Sequence, residues 1–335
     1  MIVTAKDVAR EVNLSQPTVS RILRGDHKFR AAQATRQRVF EAAQRLGYTP
    51  NAVAVSLKRG RTGIIGMHTN HDYDVRNDFL GAVVGSLQRA CAALDLDLLL
   101  HSARSDISAR ALLGKLRDGR LDGLILHAGC EDPLVALLEK SRFPTVVIAD
   151  PLPNMAAVTS DDESGMALLI EHLWERDYRN FAFLTPLQEP SSIERRRAAF
   201  EAELLLRGVS PNERRVHVVD YERAAPAVDA LLESGAGQPL AVCCWNDRTA
   251  YNLLSACATR GVKVPEQLAV TGFDGLVNRE FMARQLVTVF CPWDEAARVA
   301  LDLLRQRIDA RLNREAMPAP EEVRLPVHLI GGDTT

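Results

Sequence analysis

Residues 7–21 read Asp-Val-Ala-Arg-Glu-Val-Asn-Leu-Ser-Gln-Pro-Thr-Val-Ser-Arg, a pattern of two short helices joined by a tight turn. Thr4 can cap the first helix, because Asp7 stands three residues later in the position of a capping box. Asn13 tolerates the left-handed backbone that a tight turn requires, and Ser15 can cap the second helix. The stretch therefore predicts a helix-turn-helix module.

A helix-turn-helix module places its second helix in the major groove of DNA, where the N-terminal residues of that helix meet base edges. Gln16 and Arg21 can form directional hydrogen bonds to bases, whereas Pro17 offers only an apolar contact. Thr18 and Ser20 suit either local capping or phosphate contacts, which position a protein without reading sequence. The predicted DNA-contacting residues of the module are Thr4, Ser15, Gln16, Pro17, Thr18, Ser20 and Arg21.

The charge of the chain is divided unevenly along its length. The first 62 residues carry twelve Lys/Arg and four Asp/Glu, a charge of +8. The remaining 273 residues carry 29 Lys/Arg and 39 Asp/Glu, a charge of −10, so the formal net charge is only −2. A basic segment on an acidic body is typical of a protein that binds a polyanion with one end. We expect the first segment to bind double-stranded DNA.

Length and composition indicate a multidomain protein. A chain of 335 residues is too long for one compact core and predicts two or three domains. Because there is neither a signal-peptide pattern nor an apolar run long enough to span a bilayer, we expect a cytoplasmic protein with no membrane partner. The six cysteines form no CxxC pair and no zinc-like spacing with histidine. We therefore expect free thiols, no metal site and no cofactor.

The module, together with Leu46-Gly-Tyr-Thr-Pro-Asn-Ala-Val-Ala54 and Leu57, resembles the lactose-repressor (LacI/GalR) family. The resemblance implies that residues 51–58 form a hinge helix on operator DNA, which pairs with its copy at a dimer axis and inserts Leu57 into the minor groove. An apolar wedge of this kind unstacks a base step and bends the duplex. The further DNA contacts implied by the resemblance are Asn51, Ala54, Leu57 and Lys58.

One segment of the head departs from the family pattern. The loop between Gly25 and Thr35 is one residue longer than usual. Ala31-Ala32 stands where the family usually has Val-Ser, so the expected serine cap of a third helix, predicted over residues 35–46, is missing.

From Gly63 onward, short apolar runs alternate with amphipathic helical patterns. Such alternation predicts an α/β fold of parallel sheets with right-handed crossovers. The predicted strands are 64–67, 96–100, 123–127, 145–149, 181–184, 216–219, 240–244 and 268–271. The predicted helices are 78–94, 109–118, 163–176, 193–207, 224–234, 248–260 and 294–312.

The family resemblance extends over this body, with landmarks such as Leu121-Asp-Gly-Leu-Ile-Leu126 and Trp245-Asn-Asp247. It implies an α/β fold class in which an all-α helix-turn-helix head is joined by a hinge helix to a two-lobed sensor similar to periplasmic binding proteins. The predicted domains are the head at 1–48, the hinge at 49–62 and the effector-binding domain at 63–335. Within the last, the N-lobe is expected at about 63–160 and 293–323, and the C-lobe at about 161–292 and 324–335.

Polar side chains follow several of the predicted strands. Ligands of open α/β sheets bind outside the carboxyl ends of strands, so we expect these side chains to converge on one crevice. Carboxylates and amides there suit sugar hydroxyl groups, while Phe79 and Trp293 can stack on the ring. Alternatively, Asp and Asn at strand ends cap the following helices. This alternative is as strong as ligand binding for Asp162 and weaker for Asp150, which Pro151 follows.

The family resemblance implies effector contacts from Asp150, Arg196, Asn246 and Asp274, with Trp293 at an aromatic pocket position. Arg195 and Arg197 flank Arg196, so the sequence leaves open which arginine faces the pocket. Cys291 stands where many members have Gln, and the loop of residues 68–77 is longer and more polar than usual. The predicted effector-binding residues are Asn70, Asp72, Phe79, Asp150, Arg196, Asn246, Asp274 and Trp293.

These patterns favour a sequence-specific DNA-binding transcriptional regulator, a repressor controlled by a small-molecule effector. We expect a sugar or sugar derivative as the effector, with a nucleobase as the alternative. A homodimer is expected, because two symmetric heads match a palindromic operator and one head presents too small a surface for tight binding. Residues 327–335 contain no leucine heptad, which disfavours a tetramer built on a coiled coil.

Two other classes of protein fit the sequence less well. A sugar-processing enzyme is disfavoured, because no dinucleotide-binding, P-loop, nucleophile-elbow or zinc-protease motif occurs. A transport protein shares the expected fold of the body but requires export, and a basic head stands where its signal peptide would be.

Overall fold

The structure is a computed structural model that describes residues 3–25, 29–49, 56, 60–69, 78–101, 107–187, 191–211, 213–219, 224–235, 238–276 and 282–335. It divides into two compact units, Met1–Gly63 and Ile64–Thr335, which we call the head and the sensor. Within the described ranges, no helix is both long enough and apolar enough to cross a membrane.

The described part of the head contains the helices α1 (Ala5–Glu11), α2 (Gln16–Leu23) and α3 (Gln33–Leu46). Each helix contributes to a small apolar core, in which Val8, Val19, Ile22 and Val39 are fully buried. Because Val19 and Ile22 lie three residues apart on α2, they face the core together and leave the opposite side of the helix in solvent.

The ends of the first two helices follow the predicted capping. The Asp7 carboxylate accepts hydrogen bonds from the backbone N–H of Thr4 (3.0 Å) and from its hydroxyl (2.7 Å). Asn13 adopts φ 55° in the turn, and Ser15 Oγ accepts a hydrogen bond from the backbone N–H of Thr18 at 3.3 Å. The predicted helix-turn-helix is confirmed.

The third helix begins at Gln33, two residues earlier than predicted. The carbonyl oxygen of Ala32 accepts the N–H groups of Thr35 (2.9 Å) and Arg36 (3.0 Å), which extends the first turn. Ala32 supplies no side-chain cap, so backbone hydrogen bonds alone form this helix start. Gly47 ends the helix with φ 67°, a left-handed conformation that glycine adopts without strain.

The sensor alternates strands and helices. In chain order its elements are β1 (Ile64–Thr69), α4 (Asp78–Ala93), β2 (Asp97–His101), α5 (Ala109–Leu116), β3 (Gly123–His127), α6 (Pro133–Ser141), β4 (Thr145–Ile148), β5 (Ala157–Ser160), α7 (Asp162–Trp174), β6 (Asn180–Pro186), α8 (Ser191–Leu206), β7 (Arg214–Val219), α9 (Ala227–Gly235), β8 (Leu240–Cys244), α10 (Asp247–Arg260), β9 (Leu268–Asp274), β10 (Val287–Phe290), α11 (Trp293–Asn313), β11 (Glu322–Leu325) and β12 (His328–Ile330).

These strands form two sheets, each of six strands within the described residues. The first sheet, in the order β11-β5-β4-β3-β1-β2, is parallel throughout and belongs to what we call lobe 1. The second, in the order β12-β10-β9-β8-β6-β7, belongs to lobe 2 and is parallel except where β12 pairs antiparallel to β10. The predicted α/β class with parallel sheets is confirmed.

The chain passes between the lobes at three places: after β5, after β10 and after β11. After β10, helix α11 returns to lobe 1 and packs on α4 and on strands β3, β4 and β5. Strand β11 pairs with β5 along its whole length, from Glu322 beside Ala157 to Leu325 beside Ser160. The predicted lobe boundary between residues 323 and 324 therefore cuts a strand that lies wholly in lobe 1. The pairing with β5 moves the passage to lobe 2 beyond Leu325.

Candidate functional sites: the exposed face of α2 and the cleft between the lobes

The exposed face of α2 carries the side chains predicted to read bases. Gln16, Pro17 and Arg21 are exposed, whereas Thr18 and Ser20 are half-buried. The Thr18 hydroxyl lies 2.8 Å from Ser15 Oγ, so both hydroxyls belong to the N-terminal cap of the helix. Two long polar side chains therefore project from a rigid helix into solvent, an arrangement suited to groove recognition.

Arg21 has a neighbour that the sequence did not indicate. Its guanidinium carbon lies over the ring of Phe29, 5.4 Å from the ring centroid, within cation–π range. The carbonyl oxygen of Phe29 accepts a hydrogen bond of 2.6 Å from Arg36 Nη2 on α3. The ring packs half-buried against the head core. Residue types alone do not predict this contact, because Phe29 lies in the loop before α3 and its position depends on where α3 packs.

The predicted hinge contacts, Asn51, Ala54, Leu57 and Lys58, lie outside the described residues, as do Asn70 and Asp72 of the predicted effector set. Thr4 is exposed at the start of α1. The head between residues 29 and 49 also presents an exposed phenylalanine, Phe40, which is 47% exposed on α3.

On the lobe 2 side of the cleft, Arg196 is buried and surrounded by acceptors. Its Nε donates to Asp162 (2.9 Å), its Nη1 to the carbonyl oxygen of Trp245 (2.7 Å) and its Nη2 to Asp274 (3.0 Å). The guanidinium carbon lies over the ring of Phe273, 3.8 Å from the ring centroid. All three nitrogen atoms are thus committed to protein acceptors, and Arg196 holds two carboxylates in place.

The two arginines beside Arg196 point to other partners. Arg195 Nη1 donates to Glu322 of β11 in lobe 1 at 2.6 Å, and its Nε lies 3.6 Å from Asp162. Arg197 pairs with Glu201 one turn along α8, at 3.2 Å. Of the three, only Arg196 is buried among the strand-end carboxylates. Arg195 instead joins the two lobes.

The carboxyl groups around Arg196 are strongly perturbed. Burial raises the pKa of Asp274 to about 6, although Arg196 opposes the increase. Burial likewise raises the pKa of Asp162, again against the attraction of Arg196. Asp150 adds to both increases by charge repulsion. Three carboxylates from different strand ends therefore lie close enough to interact through their charges.

A fourth buried carboxyl group, that of Asp247, interacts with the charge of Asp274. Burial raises its pKa to about 7. One oxygen accepts the backbone N–H of Leu276 (3.0 Å) and the other accepts the hydroxyl of Thr288. Asp247 thus ties the start of α10 to strand β10 and to the segment that follows Asp274. Asp247 follows a predicted strand but is not among the predicted effector-binding residues.

The lobe 1 side of the cleft is formed by the ends of β1, β3 and β4. The Asp150 oxygen Oδ2 lies 3.4 Å from His127 Nε2, and His127 Nδ1 lies 3.2 Å from the hydroxyl of Thr69. The other Asp150 oxygen accepts the backbone N–H of Ser192, the second residue of α8 in lobe 2, at 2.9 Å. Burial raises the pKa of Asp150, but His127 and Ser192 together outweigh it and hold the pKa below its usual value. One buried carboxylate therefore bridges the lobes.

The two predicted aromatic residues lie together. Phe79 and Trp293 meet edge to face with ring centroids 4.9 Å apart, and Phe79 also lies 5.0 Å from the His127 ring. Trp293 is 6% exposed, and its indole N–H has no hydrogen-bond partner among the described residues. The aromatic pair thus adjoins the lobe 1 polar cluster through His127.

Of the strand-end Asn246 and Asp162, the first caps a helix and the second does not. Asn246 caps α10, because its Oδ1 accepts the backbone N–H of Thr249 at 2.8 Å; its amide group retains two donors. Asp161, not Asp162, caps α7, by accepting the backbone N–H of Ser164 at 3.1 Å. The alternative of a capping role for Asp162 is therefore wrong, because its neighbour fills that position.

Two of these strand ends have a non-glycine residue in a left-handed backbone conformation. Ala149, immediately before Asp150, has φ 75°, and Asp274 itself has φ 101°. Non-glycine residues seldom adopt such angles, and where they do the surrounding structure must impose them, often at ligand sites. Both strained positions orient carboxylates of the interlobe cluster. Among the described residues no group of His, Cys, Asp and Glu side chains is arranged to hold a metal ion.

Each of the two units matches a family model of known proteins over part of its sequence. Residues 4–51 match the family model of bacterial regulatory proteins, lacI family, and residues 170–335 match the model of a periplasmic binding protein-like domain. The HTH-type transcriptional repressor PurR of Aliivibrio fischeri (strain MJ11) is 30% identical over 314 residues, which is 91% of each chain.

Solved structures share the fold. The lac repressor dimer bound to operator and the anti-inducer ONPF has a TM-score of 0.81 at 22% identity, over 100% of this chain and 99% of that chain. A complex of the transcriptional regulator CelR with cellobiose has a TM-score of 0.72 at 24% identity, over 99% of this chain and 100% of that chain.

Proposed function

Because the chain belongs to the lacI family of bacterial regulatory proteins, we propose that it represses transcription by binding palindromic operator DNA as a homodimer under the control of a small-molecule effector. The family membership makes it a DNA-binding transcriptional regulator with an effector-binding domain. The exposed Gln16 and Arg21 on a rigid α2 and the +8 charge of residues 1–62 support the DNA-binding part.

The effector would bind in the cleft between the lobes, and a sugar or sugar derivative fits it best. The observation that carries this proposal is the cluster of Asp162 and Asp274 held by Arg196, with Asp150 reaching in from lobe 1. Carboxylate oxygens accept hydrogen bonds, and the hydroxyl groups of a sugar donate them from several directions. Phe79 and Trp293 supply an aromatic surface for a ring. A nucleobase, flat and also able to donate, is the second candidate for the same surface.

The mechanism follows from contacts that join the lobes. Asp150 accepts from Ser192, Arg195 pairs with Glu322, and Arg324 of lobe 1 lies 3.3 Å from Glu163 of lobe 2. A ligand that replaces the Ser192 contact of Asp150 would favour a different lobe arrangement. In a dimer, the spacing of the two copies of lobe 1 would then decide whether the paired hinge helices form on DNA. A coupling of about 1–3 kcal/mol is typical of such switches.

The DNA-binding part is tested by selection from a library of random duplexes with the full-length protein at physiological salt. The expected result is enrichment of one palindromic sequence, because two symmetric heads bind two half-sites. Recovery of unrelated sequences with no shared half-site would contradict the proposal. Analytical ultracentrifugation of the protein with the enriched duplex would give two chains per duplex.

The effector part is tested by thermal unfolding in the presence of neutral sugars, sugar derivatives and nucleobases. A ligand at one hundred times its dissociation constant stabilises the protein by about 2.7 kcal/mol. Asp150→Asn is expected to lose the stabilisation, whereas Glu201→Gln, on the outer side of α8, retains it. The ligand must also change the affinity for the enriched duplex. A stabilising ligand that survives Asp150→Asn would place the site elsewhere, and one that is turned over would indicate an enzyme.

A further inference from the structure

The side chain of Arg21 is held by a residue outside the recognition helix. Its guanidinium carbon lies 5.4 Å from the centroid of the Phe29 ring. Phe29 is itself fixed twice: its carbonyl oxygen accepts the 2.6 Å hydrogen bond from Arg36, and its ring packs against the head core. Phe29 thus connects α3 to the exposed face of α2.

Stacking on a ring occupies the face of a guanidinium and leaves its edge available. The five N–H donors of arginine lie in the guanidinium plane, so a ring over the face does not compete for them. Among the described residues, Arg21 makes no hydrogen bond or ion pair that would occupy that edge. The same in-plane donors form the paired hydrogen bonds by which arginine recognises the O6 and N7 atoms of guanine.

We propose that Phe29 is a positioning residue for DNA reading: it stacks on Arg21 and holds the guanidinium edge toward the major groove before DNA binds. An unrestrained arginine loses the freedom of several rotatable bonds when it contacts a base, and prior stacking reduces that loss. Phe29 would then raise both the affinity for the operator and the preference for the base that Arg21 reads. This inference rests on the proposed DNA-reading role of Arg21.

The test is a double-mutant cycle on the full-length protein, with the palindromic duplex that the wild-type protein selects and a scrambled duplex of equal length. The variants are Phe29→Leu, Phe29→Tyr, Arg21→Ala and the double variant Phe29→Leu/Arg21→Ala. Leucine keeps the apolar bulk and removes the aromatic face, and tyrosine keeps that face. Phe40→Leu is the matched control, because it removes an exposed aromatic ring from α3.

In the wild-type background, Phe29→Leu is expected to weaken binding to the selected duplex by about two-fold to five-fold per head, the range of an exposed cation–π contact. For two heads the loss is about four-fold to twenty-five-fold. In the Arg21→Ala background the same change should have no further effect. Phe29→Tyr should restore the affinity and the base preference, and Phe40→Leu should change neither.

An equal loss from Phe29→Leu with and without Arg21 would overturn the inference, because a purely structural role of Phe29 does not depend on Arg21. Wild-type affinity for Phe29→Leu, or a loss shared by Phe40→Leu, would overturn it as well. If Phe29→Leu does not fold, the Nε–Hε NMR signal of Arg21 in the DNA-free wild-type protein decides. An upfield shift from the Phe29 ring is expected, and a signal at the unstructured position contradicts the stacking.

The outcomes separate this inference from the proposed function. A wild-type protein without preference for any duplex refutes the DNA-reading role, and the NMR signal of Arg21 still reports the stacking. A wild-type protein with a clear preference and no coupling between Phe29 and Arg21 refutes the positioning role alone.

Discussion

The head and the sensor each place one arginine of a candidate site over a phenylalanine ring, with opposite consequences for the donors of that arginine. In the head, the guanidinium carbon of Arg21 lies 5.4 Å from the Phe29 centroid, and the exposed side chain makes no hydrogen bond or ion pair to another described residue. In the sensor, Arg196 lies 3.8 Å from the Phe273 centroid and is 4% exposed, with its edge committed to Asp162, Asp274 and the Trp245 carbonyl. A phenylalanine therefore contacts a guanidinium whose donors are exposed in the head and one whose donors are buried in the sensor.

The difference shows what an arginine contributes in each setting. A buried guanidinium is stabilised only when its donors are satisfied, and removing it leaves the paired carboxylates without compensation. An exposed guanidinium contributes little to stability and keeps its donors for a ligand. Arg196 is therefore expected to matter for folding and for the shape of the cleft, and Arg21 for DNA alone.

The largest expected effect comes from Arg196→Met. It leaves Asp162 and Asp274 buried without their cation, so the free energy of unfolding of the sensor should fall by about 3–5 kcal/mol. Urea unfolding followed by tryptophan fluorescence measures this, because all three tryptophans lie in the sensor. Arg197→Met, which removes a partly exposed pair with Glu201, should cost less, about 1 kcal/mol. Equal losses for the two variants would contradict the buried role of Arg196.

The next effect depends on pH and concerns Asp247. Burial raises its pKa in the folded protein to about 7, well above the usual value for an aspartate. The folded state therefore binds this proton more tightly than the unfolded state does. Above pH 7 the ionised carboxyl lowers the free energy of unfolding, and this loss disappears as the pH falls from about 7 to about 4. Asp247→Asn resembles the protonated form, so it should raise the free energy of unfolding at pH 8 by about 1–3 kcal/mol.

The gain from Asp247→Asn should shrink toward zero at pH 4 to 5, where the wild-type carboxyl is protonated. Urea unfolding of both proteins at several pH values provides the comparison. Asp294→Asn is a control of opposite sign, because hydrogen bonds from Arg89 and Ser86 lower the pKa of Asp294. A difference between Asp247→Asn and wild type that does not change with pH would contradict the assigned burial.

In the head, Arg21→Ala tests whether the exposed arginine contributes to DNA binding and not to stability. It should weaken binding to the selected operator by about 1–3 kcal/mol and relax the preference at one base pair of each half-site. The free energy of unfolding should change by no more than about 0.5 kcal/mol. Arg38→Ala removes the same charge from the exposed side of α3, and should weaken selected and scrambled duplexes alike. Equal weakening on both duplexes by Arg21→Ala would reduce Arg21 to a phosphate contact.

The smallest expected effect concerns the cap of α2. Ser15→Ala removes the acceptor for the backbone N–H of Thr18 and should lower head stability by about 1 kcal/mol. Amide hydrogen exchange at Thr18 and Val19 reports this loss. The sensor, followed by tryptophan fluorescence, should unfold as in the wild type. A shift of the sensor transition would show that the two units do not unfold independently.

The sequence predicted the head more completely than the sensor. The caps at Thr4 and Ser15 and the left-handed Asn13 follow from local chemistry, and all three are present. In the sensor, strands β5, β10, β11 and β12, each of three or four residues, were not predicted. Helix α6 was also missed, although Asp132 and Pro133 form a recognisable helix start.

The cleft could be predicted by residue type but not by contact. Strand-end carboxylates were expected to converge, and Asp150, Asp162 and Asp274 do interact through their charges. The sequence could not show that Arg196 donates hydrogen bonds to Asp162 and Asp274, because that depends on which side of α8 faces the strands. His127 was not among the expected site residues, although it lies directly at the end of β3. Predicted roles for these residues in effector binding stay predictions.

Base reading by the head is tested most directly by the ratio of dissociation constants for the scrambled and the selected palindromic duplex, measured by fluorescence anisotropy at about 0.15 M salt with wild-type protein and Arg21→Ala side by side. We expect a wild-type ratio of about a thousand or more, and a ratio at least about five-fold lower for Arg21→Ala. A wild-type ratio near one, or identical ratios for the two proteins, would contradict it.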